Sequence, residues 1–101
     1  MAINESVKAL VENGWAYDAQ VNGVRKAFIF DAFTPAFQFM SEVAEVAESL
    51  NHHPDWRNVY SRVEVLLTTH DQGGVTELDV TLGASIDALS TEFGGKPFED
   101  Q

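Results

Sequence analysis

The stretch TPAFQFMSEVAEVAESLN, residues 34–51, constrains the fold more than any other part of the chain. Ala36, Met40, Val43, Ala47 and Leu50 recur at helical spacing, and Gln38, Ser41, Glu42, Glu45 and Ser49 fill the opposite, wet face. Thr34 is placed to cap this helix, with Pro35 at its first position, where a missing N–H costs nothing. Phe37, Phe39 and Val46 widen the apolar side beyond a single stripe. They serve either as extra core contact or as a second packing surface against a partner subunit. In both cases a helix with this face needs another layer to cover it.

The remaining segments supply that layer. Asn4 can cap a short helix carrying Val7, Leu10 and Val11, ended by Gly14. GWAYDAQVNGVRKAFIFD reads as a hairpin in which Asn22-Gly23 suits a tight turn with positive φ at both positions. Pro54 is expected to stop the long helix. NVYSRVEVLLTTH then alternates, with Val59, Val63, Val65 and Leu67 on one parity. DQGG is a turn and VTELDV a short strand. Thr81 is expected to cap a last helix with the stripe Leu82, Ile86, Leu89 and Phe93. The order is helix, two strands, helix, two strands, helix. This αββαββα pattern predicts an α+β fold, a four-stranded antiparallel sheet with three helices on one face. Residues 1–93 form the single domain, and 94–101 read as a loose C-terminal tail.

The chain has 101 residues, 45% of them hydrophobic, enough for one core. A formal net charge of −10 repels phosphate backbones and argues against nucleic acid as a partner. No apolar run approaches a membrane span, and the N-terminal segment lacks the pattern of a signal peptide. With no cysteine, thiolate metal sites and disulfides are excluded, which suits a reducing compartment. The expectation is a cytoplasmic protein.

Two of the three histidines, His52 and His53, stand side by side before Pro54, and the third, His70, follows the alternating strand. Glu48 lies one turn before His52 and is placed to orient it. A helix exit and a strand end can meet at one sheet edge, so the three imidazoles can converge. Three readings compete. Histidines at a helix C-terminus are favoured by its dipole alone. A three-imidazole metal site is disfavoured, because adjacent histidines rarely project to one point. Acid–base chemistry without metal uses groups that titrate near neutrality. Trp56 and Tyr60 either pack in the core or wall a flat ligand. Asp79, read near a strand end, is either a solvated or capping residue or the carboxylate that orients a histidine.

Taken together, Glu48, His52-His53-Pro54, Tyr60, His70 and Asp79 at their fixed gaps resemble the signature of the pterin-4a-carbinolamine dehydratases. This family is also called the dimerization cofactor of hepatocyte nuclear factor. HHPDWRNVYSRVEVLLTTHD and GGVTELDVTLGASID resemble its central segments almost continuously, and the likeness spans about residues 12–93. The resemblance implies dehydration of 4a-hydroxytetrahydropterin to quinonoid dihydropterin, which regenerates the pterin cofactor of aromatic amino-acid hydroxylation. It implies no metal and no cofactor. By position it assigns His52, His53 and His70 as catalytic, and His52, His53, Pro54, Thr69, His70, Asp71 and Gln72 as pterin-binding. Glu48, Trp56, Tyr60 and Asp79 would support them. The chemistry divides as acid–base work for His52 and His70, with His53 binding and orienting the ring. A homodimer or homotetramer is implied as well. The alternatives are an interaction module that clamps a helical protein partner, or a relative that binds pterin without turnover.

Overall fold

In the computed structural model, which describes residues 4–98, the N-terminal helix α1 runs Glu5–Glu12. Asn4 caps it as expected: its Oδ1 accepts from the Val7 N–H at 2.8 Å, while its Nδ2 donates to the Val75 carbonyl. Val7 and Leu10 face inward, whereas Val11 is exposed. The chain enters β1 (Ala16–Asp18), crosses a loop at residues 19–22, and returns as β2 (Gly23–Ile29). Here the expected turn is corrected. Only Asn22 takes a positive φ, at 53°, and Gly23 pairs with Asp18 as a strand residue. Gly23 serves close approach, since a Cβ there would sit 2.8 Å from the Leu67 carbonyl oxygen on the neighbouring strand.

The long helix α2 spans Phe33–Leu50. Its N-cap is Ala32, without a side-chain cap, so Thr34 and Pro35 lie inside the first turn, where proline is still tolerated. The stop is also corrected. The helix ends three residues before Pro54, at Asn51 in the left-handed region (φ 52°). The Asn51 N–H donates to the Glu48 carbonyl and the His52 N–H to the Ala47 carbonyl, a Schellman closure. Phe39 is fully buried, with its ring against Phe28 and Phe30 at 5.6 and 5.0 Å between centroids. It is therefore core, and Val46 is partly buried against that core. Phe33 and Phe37 are exposed, with ring centroids 5.7 Å apart.

The second hairpin differs most from expectation. β3 (Asp55–Val59) and β4 (Arg62–Leu67) are joined by Tyr60 and Ser61, with Tyr60 at φ 53°. The Asn58 side chain holds this turn by donating to the carbonyls of Tyr60 and Arg62. Val59 therefore lies opposite Arg62 and is exposed, while Val63, Val65 and Leu67 are buried. VTELDV is not a strand. After a single 3₁₀ turn at His70–Gln72, the last helix α3 begins at Glu77, capped by Thr76 rather than Thr81, and runs to Glu92. Of the residues expected as a strand, Thr76 is its cap and those at 77–80 are its first turn.

The sheet is antiparallel, in the order β1-β2-β4-β3. A two-residue β5 (Lys96–Pro97) adds to β2 at Phe28 and Ile29, beyond the residues that β1 occupies. This corrects the expected loose tail up to Phe98, whose N–H donates to the Ala27 carbonyl. Residues 1–3 and 99–101 lie outside the described part. The three helices cover one face, closing on a core that includes Trp15, Val24, Phe28, Phe39, Val43, Val63, Val65, Leu67, Leu82 and Ile86. Leu89 and Phe93 complete the predicted α3 stripe as partly buried neighbours of that core. Gly83 lets α3 approach α1 closely, since a Cβ there would lie 2.5 Å from a Leu10 methyl.

Candidate active site

The left-handed residue at the end of α2 turns the chain so that His52 and His53 leave in different directions. His52 goes inward and is only 9% exposed. Its Nε2 lies 2.6 Å from Oδ1 of Asp79, a carboxylate with no exposed surface. His53 goes outward, and its Nε2 lies 2.6 Å from Oε2 of Glu48 in an exposed pair. Glu48 therefore orients His53, not the His52 expected from their i,i+4 spacing. That spacing assumes a helix continuing through His52, and the helix has already closed at Asn51.

Asp79 fills both of the roles weighed for it. It is the third residue of α3, and its Oδ2 accepts from the Thr76 N–H at 2.9 Å, half of a capping box. The same Oδ2 accepts from the Thr69 hydroxyl at 2.8 Å. Because the Thr69 proton is committed to Asp79, the 2.7 Å contact between the two threonine hydroxyls is Thr76 donating to Thr69. Thr76 Oγ1 in turn accepts from the Leu78 N–H. A donor chain thus runs Thr76 to Thr69 to Asp79. With Oδ2 receiving two donors, Oδ1 is left to face the His52 Nε2 and holds the orientation of that imidazole. Nδ1 of His52 has no protein partner among the described residues.

Thr69 follows β4 and is buried; its N–H and carbonyl both pair with Gly74, pinching off the loop that carries His70, Asp71 and Gln72. Those three residues are exposed, and Gly73 closes their turn at φ 79°. His70 lines an open cleft of about 460 Å³ with Gln20, Val21, Asn22, Asp55, Leu66 and Thr68. His52 and His53 are not among the residues lining this cleft. No metal-ligating cluster of three histidine or acidic side chains occurs among the described residues. Pro54 is half-buried between His53 and β3. Trp56 faces Val65 on the core side, as packing predicts, and Tyr60 sits 66% exposed at the hairpin tip.

Two further residues, Thr76 and Asn22, contribute to the site. Thr76 falls in the segment expected as a strand, although TELD at 76–79 fits the Ser/Thr-x-x-Asp/Glu capping pattern that marks a helix start. From sequence Asn22 is expected only as a turn residue. Its Oδ1 accepts from the Tyr17 hydroxyl and its Nδ2 donates to the Gly73 carbonyl at 2.6 Å, bracing the cleft wall across 51 positions. No local signal marks that contact.

Comparison with known proteins places this geometry in context. A family model described as pterin 4 alpha carbinolamine dehydratase matches residues 2–89. A relative from Nitrobacter hamburgensis, assigned by name to pterin-4-alpha-carbinolamine dehydratase, is 49% identical over 88% of this chain and 86% of its own. One from Jannaschia sp., named likewise, is 48% identical over 85% of this chain and 88% of its own. A crystal structure described as a transcriptional coactivator/pterin dehydratase from Brucella melitensis superposes with a TM-score of 0.79 at 39% identity, covering 88% of this chain and 98% of that one. A pterin dehydratase-like RuBisCO assembly factor of the alpha-carboxysome shares the fold at 22% identity, with a TM-score of 0.65 over 75% of this chain and 88% of that one. By sequence along most of its length and by fold, this chain belongs to the pterin 4 alpha carbinolamine dehydratase family.

Proposed function

We propose that the protein dehydrates 4a-hydroxytetrahydropterin to quinonoid dihydropterin by histidine acid–base catalysis. The observation that carries this reading is the buried carboxylate of Asp79, locked by Thr69 and Thr76 and bonded to His52. A group held so firmly presents one imidazole atom, Nδ1, in one orientation, as proton transfer requires. In the reaction the bond from carbon 4a to its hydroxyl oxygen breaks. An acid protonates the departing hydroxide to water, and a base takes the N5 proton as the carbon–nitrogen double bond forms. His52 and His70 share these two roles, and His53, steadied by Glu48, binds and orients the ring. Pro54, Thr69, Asp71 and Gln72 border the same histidines and complete the pterin contacts. Positioned proton transfer of this kind contributes roughly 10²–10⁴-fold.

The same reading includes a homodimer or homotetramer in the cytoplasm. The exposed Phe33–Phe37 pair on α2 supports association; of the Phe37, Phe39 and Val46 surface expected from sequence, Phe37 is exposed, Phe39 is buried and Val46 is partly buried. Among the described residues no helix is long and apolar enough to cross a membrane.

Stopped-flow absorbance of freshly prepared 4a-hydroxytetrahydropterin tests the proposal. The protein should accelerate dehydration with or without chelator. His52→Ala and His70→Ala should each lower kcat by about 10²-fold or more, about 2.7 kcal/mol, with little change in KM. His53→Ala should chiefly raise KM. If folded His52→Ala and His70→Ala proteins keep the parent rate, the assignment is wrong and an interaction role takes precedence.

A further inference from the structure

The cleft beside His70 contains a carboxylate that neither the fold nor the acid–base reading uses. Of its polar side chains, Asn22 is spent on Tyr17 and Gly73, and the Thr68 hydroxyl donates to the Asn22 carbonyl at 2.8 Å. Asp55 has no hydrogen bond or ion pair from its side chain among the described residues. It opens β3, directly after Pro54, and pairs with Leu66 so that its side chain stands on the sheet face away from the helices. A second, smaller cleft of about 290 Å³ adjoins the first and shares Val21, Asp55 and Leu66 with it, which puts Asp55 at the waist between the two. In that second cleft the charged side chains are already matched: Arg25 lies 2.8 Å from Asp18, and Arg57 lies 3.9 Å from Glu64. Asp55 is the unmatched acid of both clefts.

An unpaired carboxylate in a chain of net charge −10 gains nothing from its acidic neighbours and is suited to a ligand edge rich in donors. A pterin has one such edge. Its 2-amino group and N3–H point the same way, at a spacing that two carboxylate oxygens can meet together, as they meet a guanidinium. The cleft of about 460 Å³ lies within the ordinary size range of small-molecule sites. We propose that Asp55 binds the aminopyrimidinone edge of the pterin, so that the opposite, reacting side of the ring is set toward His70. Asp55 is then a specificity and positioning residue that carries no proton. The inference rests on the dehydratase reading for its ligand class.

The test compares two ligands by isothermal titration calorimetry: 6-methyl-7,8-dihydropterin and its lumazine counterpart, in which a 2-oxo group replaces the 2-amino group. The parent protein should prefer the pterin, because the 2-oxo group sets an acceptor against a carboxylate. Asp55→Asn should bind the pterin about tenfold or more weakly and lose the preference. Asp55→Glu should restore part of both. Circular dichroism melting of each variant should match the parent, since Asp55 braces nothing. Unchanged pterin affinity and preference in a folded Asp55→Asn protein would overturn the inference, as would a parent that does not distinguish the ligands. The two readings fail separately. A parent that discriminates through Asp55 yet does not accelerate dehydration keeps this inference and removes the catalytic one. A parent that dehydrates at full rate with Asp55→Asn unimpaired in KM and binding does the reverse.

Discussion

His52 and His53 are neighbours in the chain, and each has a carboxylate oxygen 2.6 Å from its Nε2. Nothing in those distances separates the two pairs. Burial does. The side chains of His52 and Asp79 are 9% and 0% exposed, those of His53 and Glu48 54% and 76%. Water competes for the outer pair and screens it, so it orients an imidazole without contributing much to stability. The inner pair is removed from water, and each member depends on the other to satisfy its polar atoms. The inner carboxylate also receives Thr69 and the α3 cap, which joins helix start, strand end and histidine in one network. Equal geometry therefore has unequal consequences, and the difference is set by what surrounds each pair.

The largest test of that contrast is Asp79→Ala. It leaves a buried imidazole, the Thr69 hydroxyl and the Thr76 N–H without their acceptor. We expect a loss of about 3–5 kcal/mol in urea denaturation, and a fall in melting temperature of about 12 °C or more. A loss below about 1 kcal/mol would show that water replaces the carboxylate and that the inner pair is no more costly to break than a surface one.

Thr69→Val keeps the shape but removes the hydroxyl. Asp79 retains the Thr76 N–H and His52, so the cost should be smaller, about 1–2 kcal/mol. A double-mutant cycle with Asp79→Ala should show strong coupling, because the second change removes a partner already lost. Additive losses would mean that Thr69 acts through packing instead.

Glu48→Gln addresses the outer pair. Stability should change by no more than about 0.5 kcal/mol, with the effect appearing in substrate KM if His53 orients the ring. A loss greater than about 1 kcal/mol would erase the distinction between the two pairs.

The smallest effect belongs to a second surface pair, Asp18–Arg25. The hydrogen bond from the Arg25 side chain, with the Gln20 N–H, holds the Asp18 carboxyl below its ordinary value. A depressed carboxyl stabilises the fold above the unfolded-state value of about 3.9, and that contribution is lost as pH falls through the lower folded value. Arg25→Ala should therefore move the Asp18 titration, followed by NMR, upward toward the ordinary value. The slight stability gap between parent and variant at neutral pH should close below about pH 4. An unmoved titration would show that backbone donors alone set it.

The chemical pattern of the site was readable because residue types and gaps survive without coordinates: His52, His53, His70 and Asp79 needed only to be counted. The long helix was readable too, since its apolar face repeats over several turns. Errors arose where a local rule had a competitor. Leu78 and Val80 alternate as a strand would, yet Thr76 and Asp79 cap a helix through them. Val59 shares parity with Val63, but the turn at Tyr60 and Ser61 lacks the glycine that usually announces a hairpin. Glu48 and His52 have helical spacing, but Asn51 closed the helix between them.

By itself, then, the sequence determined the α+β class with three helices and the acid–base inventory, because periodicity and composition are properties of neighbours in the chain. Only the tertiary structure decided which carboxylate meets which histidine. Asp79 is 27 residues from His52 and reaches it because α3 packs with its first turn against the end of α2. Burial, which makes that contact costly to lose while its twin at His53 is cheap, exists only once the layers have closed over it.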